Sequence, residues 1–144
     1  MPRRNPSHVW STELPTAEDL AGVPLFADLD TVTRTELAGR FDVEEFAAGR
    51  SLVAEGAAGY AFYVIAEGHV TVASGGRPLG ELGPGDYFGE IAILGEGRRT
   101  ATVTARTKVE VWVLFGTAFR VLQTSRPDIA EMLVQAMKAR LQDE

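Results

Sequence analysis

Short runs of β-forming residues, separated by glycine-containing turns, fill the middle of this chain from residue 42 to residue 115. The runs expected to be strands are Val43–Ala47, Ser51–Ala54, Tyr60–Ala66, His69–Ala73, Leu79–Leu82, Ala101–Ala105 and Val109–Phe115. The turns between them are marked by Ala48-Gly49, Glu55-Gly56, Glu67-Gly68, Gly75-Gly76 and Gly83-Pro84-Gly85. Strands this short and this regularly spaced predict a small barrel or roll. We therefore expect a mainly β fold, a jelly-roll-like antiparallel β-roll.

Helical patterns flank the β-rich part on its N-terminal side. An apolar cluster surrounds Pro24, and a short helix is expected to follow, running through Leu37 to about Phe41. Either Asp30 or Thr31 serves as the N-cap of this helix, because a side-chain oxygen at that position accepts a hydrogen bond from the first helical turn.

Two more helices are expected on the C-terminal side. Thr117 is expected to cap a helix over Ala118–Thr124, and Pro127 stands near the first turn of a second helix. One stripe of that second helix collects Ile129, Met132, Leu133, Ala136, Met137, Arg140 and Leu141. Arg140 is a charge at an apolar position of the stripe. Either the side chain extends to solvent at the helix C-terminus, where the helix dipole favours a positive charge, or its guanidinium binds a partner group on the apolar face.

The length and composition of the chain suit one domain. A chain of 144 residues with 45% hydrophobic residues predicts a single packed core. The first residues show no periodicity, so residues 1–19 are expected to form a flexible N-terminal tail and residues 20–144 the domain.

Several function classes are disfavoured by composition. The chain has no cysteine, and His8 and His69 are its only histidines, so we expect no disulfide, no metal cluster and no cofactor. Its net charge of −6 gives no support to nucleic-acid binding. No apolar run approaches the ~18 residues that span a bilayer, and no secretory signal opens the chain, so we expect no membrane insertion and a cytoplasmic location.

The segment from Gly85 to Val103 carries the clearest chemical pattern. Gly89 and the Gly-x-Gly at residues 95–97 permit positive φ and close backbone approach. Backbone N–H groups at the start of a short helix favour an anion, and an arginine in the following Arg-Arg-Thr can clamp that anion. The carboxylate of Glu90 would accept hydrogen bonds from sugar hydroxyls and repel a bare phosphate. The combination suits a ligand with a phosphate beside a ribose hydroxyl.

The same residues resemble the phosphate-binding cassette of cyclic nucleotide-binding domains. The resemblance rests on Phe88-Gly89-Glu90-Ile91-Ala92-Ile93 and on Arg99-Thr100-Ala101-Thr102-Val103, with the usual spacing between Glu90 and Arg99. It implies that Arg99 holds the cyclic phosphate, that Glu90 holds the ribose 2′-hydroxyl, and that neighbouring backbone groups add contacts. The candidate ligand-binding residues are Phe88, Gly89, Glu90, Ile91, Ala92, Arg98, Arg99, Thr100, Ala101 and Arg140.

Some of these residues have a plainer interpretation. Arg99 alone would be a surface arginine in a turn, and Glu90 alone a charge favoured by a helix N-terminus. Arg98 stands where the family usually has proline or another small residue, and it is either a solvated neighbour or an addition to the field at the phosphate. Thr100 either starts a strand or reaches the phosphate or the purine edge. Arg140 would cap the purine if its partner is the ligand.

No motif for catalysis is present: the sequence lacks a P-loop, Gly-x-Ser-x-Gly and His-Glu-x-x-His. We therefore predict a sensor domain that binds cAMP or cGMP, catalyses nothing and transmits occupancy through its N- and C-terminal helices. A protein partner or a fused effector domain would receive the signal. Two alternatives stay open: the sensor part of a Crp/Fnr-type transcription regulator without its DNA-binding module, and a degenerate roll that acts as a protein-interaction module.

Overall fold

The computed structural model describes residues 14–54, 56, 61–90, 93 and 101–142, and for residues 140–142 it describes the backbone alone. Within these residues the helices are α1 (Ala17–Ala21), α2 (Pro24–Ala27), α3 (Thr31–Ala38), α4 (Gly116–Ser125) and α5 (Pro127–Gln142). The strands are β1 (Asp42–Phe46), β2 (Ser51–Val53), β3 (Ala61–Glu67), β4 (Val70–Ser74), β5 (Arg77–Leu82), β6 (Tyr87–Phe88), β7 (Thr102–Ala105) and β8 (Val109–Phe115).

The strands form two antiparallel sheets of four. The first sheet has the order β1-β8-β3-β6, and the second has the order β2-β7-β4-β5. Helices flank the sheets at both ends of the chain. This arrangement confirms the predicted β-roll with N-terminal helices and two C-terminal helices.

Strands β3 and β8 divide their side chains between two cores. On β3, Phe62 and Val64 face a core shared with the helices, whereas Tyr63 and Ile65 face a second core shared with the other sheet. On β8, Trp112 contributes to the first core, and the valines on either side of it contribute to the second. Successive residues of a strand point to opposite faces, so a strand covered on both faces is apolar throughout. The apolar runs Ala61–Ala66 of β3 and Val111–Phe115 of β8 owe their apolar sequence to this double burial.

The helix starts follow local hydrogen bonds. The backbone N–H of Thr33 donates to Oδ1 of Asp30 over 2.8 Å, which makes Asp30, rather than Thr31, the N-cap of α3. This hydrogen bond lowers the pKa of Asp30 below its ordinary value. Thr16 and Asp19 form a capping box at the start of α1. At the end of α2, the Nη1 of Arg34 donates to the carbonyl oxygens of Phe26 and Ala27, and it also donates to that of Leu29 just beyond the helix.

Helix α5 joins the first core through a stripe of buried residues, of which Leu133 and Met137 are fully buried. The stripe was predicted, but Met132 lies at its edge with 43% of its surface exposed. In the part of the chain that the structure describes, no helix is long and apolar enough to cross a membrane.

The N-terminal boundary of the folded part differs from the prediction. Helix α1 begins at Ala17, inside the segment 1–19 that we expected to be a tail, and Pro15 is already buried. Residues 1–13 lie outside the described residues. N-terminal helices were expected, but the positions of α1 and α2 were not predicted, because five and four residues are too few to show a helical period.

Other element bounds also differ. Helix α3 ends at Ala38 instead of continuing to about Phe41. Helix α4 begins at Gly116 with Phe115 in the N-cap position, so the predicted cap Thr117 lies inside the first turn. Strand β4 begins at Val70, so His69 precedes the strand instead of opening it.

Candidate functional site

The candidate ligand segment begins at the end of β6. Strand β6 pairs with β3, so that Phe88 lies opposite Tyr63. The two rings are stacked, with centroids 4.8 Å apart and planes 9° from parallel, and both side chains are buried. The sequence did not predict β6, because a strand of two residues has no detectable period. The one sequence feature that could have indicated this strand is the aromatic pair Tyr87-Phe88 before Gly89.

Gly89 changes the direction of the chain immediately after this buried strand. Its φ is +84°, a backbone conformation that residues with a β-carbon adopt only with strain. The carbonyl oxygen of Glu90 then accepts a hydrogen bond from the N–H of Ile93 over 2.9 Å, and Ile93 is buried in the first core. Glu90 is therefore half-buried, and its carbonyl group is hydrogen-bonded to a residue of the first core.

A second turn fixes the approach to β6. The N–H of Gly83 donates to a carboxylate oxygen of Asp86 over 2.9 Å, and the N–H of Asp86 donates to the carbonyl of Gly83 over 3.0 Å. Two further hydrogen bonds connect this turn to Ile65 of β3. The N–H of Gly85 donates to the carbonyl oxygen of Ile65, and the N–H of Ile65 donates to the carbonyl oxygen of Asp86. These bonds tie the turn to β3, so the position of Gly89 is set by the sheet rather than by a free loop.

Glu90 lines a small cleft of about 180 Å³ beside α2. The other residues around this cleft are Pro24, Leu25, Leu82, Gly85, Asp86 and Tyr87. The cleft places the carboxylates of Asp86 and Glu90 beside the N-terminal helix α2. The candidate segment and helix α2 therefore border the same cleft at Glu90, which the sequence did not indicate.

The other end of the candidate segment is anchored as well. Ala101 is half-buried and stands directly before β7, which lies between β2 and β4 in the second sheet. Val103 on β7 is 3% exposed and belongs to the same buried cluster as Tyr63 and Phe88. One apolar cluster thus holds both ends of the chain between Phe88 and Val103.

The remaining candidate residues fall outside what the structure describes. These are Ile91, Ala92, Arg98, Arg99 and Thr100. Arg140 lies on the backbone of α5, three residues after the buried Met137, but its side chain is also outside the description. Their ligand contacts stay predictions. Phe62, Tyr63 and Trp112 are buried and belong to the two cores rather than to the candidate site.

Polar contacts join α5 to α3. Arg126, which links α4 and α5, contacts Glu36 of α3 at 3.6 Å and Asp128 at 3.1 Å. The hydrogen bonds between Arg126 and Asp128 raise the pKa of Arg126 and lower that of Asp128. Further along α5, the hydroxyl of Thr33 donates to the sulfur of Met132 over 3.4 Å.

A larger groove lies between α2 and α5, with a volume of about 610 Å³. Its apolar lining consists of Pro24, Leu25, Leu29, Met132, Ala136 and Ala139. Its polar lining consists of Asp28, Asp30, Glu131 and Gln135. We call this feature the α2–α5 groove.

Comparison with known proteins places this geometry in a family. The family model described as "Cyclic nucleotide-binding domain" matches residues 43–126. A cyclic nucleotide-gated potassium channel of Rhizobium etli is 37% identical over 114 residues, covering 79% of this chain and 32% of the channel. A cAMP-dependent protein kinase regulatory subunit of Yarrowia lipolytica is 39% identical over 97 residues, covering 66% of this chain and 26% of that subunit. The chain thus spans about a third or less of the length of these relatives.

Solved structures agree with the family model. The N-terminal domain of a transcriptional regulator from Streptomyces coelicolor A3(2) superimposes with a TM-score of 0.73 at 34% identity, covering 87% of this chain and 93% of that one. The regulatory domain of Toxoplasma gondii PKA, solved with cAMP, superimposes with a TM-score of 0.70 at 27% identity. The match covers 85% of this chain and 48% of that one. The resemblance inferred from residues 88–103 is confirmed, and the chain belongs to the cyclic nucleotide-binding domain family.

Proposed function

We propose that this chain binds a cyclic nucleotide, cAMP or cGMP, in the segment from Phe88 to Ala101 and acts as a sensor without catalytic activity. The observation that carries the proposal is Gly89, whose φ of +84° directly follows the buried Phe88 in the region matched by the family model. A glycine in this conformation lets the backbone approach a ligand where a β-carbon would intrude.

The roles of the individual residues follow from their chemistry. Arg99 clamps the cyclic phosphate, because a guanidinium offers two parallel N–H donors to an anion. Glu90 accepts a hydrogen bond from the ribose 2′-hydroxyl. Gly89, Ile91 and Ala92 contribute backbone contacts.

The residues at the edges of the segment have supporting roles. Phe88 and Ala101 frame it from the two sheets. Arg98 adds positive field at the phosphate, and Thr100 offers its hydroxyl to the phosphate or the purine edge. Arg140 on α5 caps the purine, and we propose no metal or cofactor besides the nucleotide.

Two features of the structure support a route for the signal. Helix α5 contacts α3 through Met132 and Thr33 and through the Arg126–Glu36 ion pair, while Glu90 lines a cleft that α2 also lines. A ligand that engages both Glu90 and α5 would shift the population of positions that α5 and the N-terminal helices adopt. A protein partner or a fused effector domain would read that shift.

The similarity to the Streptomyces regulator domain favours one particular parent protein. That domain is matched over 93% of its length, so this chain would serve as the sensor part of a transcription regulator. The open reading frame that encodes the chain decides this point, because a regulator would carry a basic DNA-binding helix pair beyond the sensor.

Titration calorimetry of the purified chain with cAMP and with cGMP tests the proposed function. We expect saturable heat with at least one of them and a melting temperature that rises with its concentration, since a ligand that binds only the folded state stabilises that state. No heat and no thermal shift with either nucleotide at millimolar concentration would leave the roll as an interaction module.

A further inference from the structure

The α2–α5 groove has the composition of a docking site. Its apolar lining, which we call the floor, includes Met132, whose side chain is 43% exposed and therefore accessible to an occupant. Its rim carries three carboxylates, those of Asp28, Asp30 and Glu131. An occupant that suits both parts of the lining needs an apolar side chain for the floor and positive charge for the rim.

The N-terminal segment of residues 1–13 matches these requirements. It carries Arg3 and Arg4 against a single acid, Glu13, whereas the whole chain has a net charge of −6. It also carries Val9 and Trp10. Tryptophan supplies a large apolar contact area with a polar edge, the type of side chain that most often anchors a contact of this kind.

The described chain begins close enough for this segment to reach the groove. Leu14 is 58% exposed and leads within three residues into α1, which packs against α2 and α3. An extended chain spans about 13 Å between Leu14 and Trp10 and about 36 Å between Leu14 and Arg3. The second distance exceeds the length of α5, which is about 24 Å for its 16 residues.

We propose that residues 1–13 dock in the α2–α5 groove of their own chain, with Trp10 over Met132 and with the arginines against Asp28 and Glu131. A second copy is the weaker candidate, because it would bring a second set of rim carboxylates toward the first and repel it. The proposal does not depend on nucleotide binding.

The two tryptophans of the chain make the proposal measurable. Trp112 is 2% exposed and therefore poorly accessible to acrylamide, so quenching of the full-length chain reports mainly on Trp10. The difference between wild type and Trp10→Phe isolates the Trp10 signal. We expect the Trp10 emission to be blue-shifted and protected from quenching relative to a synthetic peptide of residues 1–13, at all chain concentrations.

Variants of the groove show where Trp10 is held. Asp28→Lys with Glu131→Lys should lower the ratio of docked to free segment by about tenfold, because two attractions become repulsions. Asp42→Lys with Glu81→Lys makes the same charge change on β1 and β5, outside the groove lining, and should leave the protection unchanged. Met132→Gln should also expose Trp10, whereas Val121→Gln, which alters an exposed apolar residue of α4, should not.

Each remaining result would overturn the proposal. If Trp10 is quenched as readily as in the peptide, residues 1–13 do not dock in the isolated chain. The groove is then open and available to another protein. Protection that grows with chain concentration, together with a dimer in sedimentation, means that a second copy supplies the segment. Protection that survives both groove variants means that Trp10 is held elsewhere.

Discussion

Tyr63 and Phe88 stack with their ring planes 9° apart and their centroids 4.8 Å apart, and this contact joins the central strand β3 to the two-residue strand β6. Gly89 follows Phe88 directly, so the geometry of the candidate ligand segment begins at this contact. The packing of this aromatic pair and the position of Gly89 are therefore linked.

Phe88→Ala should destabilise the fold by about 3–5 kcal/mol, because it removes a buried ring and leaves a cavity against Tyr63. Phe88→Leu retains most of the apolar contact and should cost about 1 kcal/mol. Urea denaturation of the two variants measures both values. Equal stability of Phe88→Ala and wild type would show that β6 is not anchored by this stack.

Gly89→Ala should lower the free energy of unfolding by about 1–3 kcal/mol, because alanine is strained at a φ of +84°. Gly39→Ala is the matched control, since Gly39 has a φ of −71° and the nearest atom to an added β-carbon is 3.7 Å away. The control should change stability by less than about 1 kcal/mol. Thermal unfolding of both variants is the measurement, and similar losses in the two would contradict the argument from φ.

Asp30 should contribute to the pH dependence of stability. The hydrogen bond from Thr33 lowers the pKa of Asp30, so the charged form is favoured in the folded state. This contribution is complete above the ordinary aspartate pKa and is lost as the pH falls through the lowered value. Asp30→Asn keeps an N-cap but does not titrate, so it should lose less stability than wild type between about pH 5 and pH 2. Superimposable pH profiles of unfolding would count against this role.

Glu90→Gln should weaken cyclic nucleotide binding by about 1–2 kcal/mol while leaving the fold intact, because a neutral amide is a poorer acceptor for the ribose hydroxyl. A 2′-deoxy cyclic nucleotide should bind wild type and variant almost alike, since it lacks the group that Glu90 would hold. A variant that still discriminates the 2′-hydroxyl as strongly as wild type would exclude Glu90 from ribose recognition.

The sequence predicted the fold wherever an element was long or doubly buried. Strands β3 and β8 have seven residues each and supply two cores, so each contains an apolar run of five or six residues that predicts a buried strand. Strand β6 has two residues and helix α2 has four. Strand β6 is held by the stack of Phe88 on Tyr63, and α2 is held by the core and by the hydrogen bonds from Arg34 to its carbonyl groups. No local pattern reveals contacts that come from distant parts of the chain.

The sequence indicates a chemistry for the candidate site, which stays a prediction, but it does not indicate the surroundings of that site. The order of glycine, carboxylate and arginine from Gly89 to Arg99 follows from what a cyclic phosphate and a ribose hydroxyl require. The cleft that Glu90 shares with α2 and the cluster that contains Phe88 and Val103 depend on tertiary packing, which spacing along the chain does not record.

The direct test of the central claim is calorimetric titration of wild type, Arg99→Ala and Arg98→Ala with the nucleotide that binds more tightly. The two variants remove the same charge from neighbouring positions, so a difference between them cannot come from net charge. Loss of a two-point, charge-assisted clamp at Arg99 should weaken binding by roughly tenfold to several hundredfold, with a much smaller loss for Arg98. Equal losses in the two variants, or unchanged binding by Arg99→Ala, would contradict the assignment of the phosphate site.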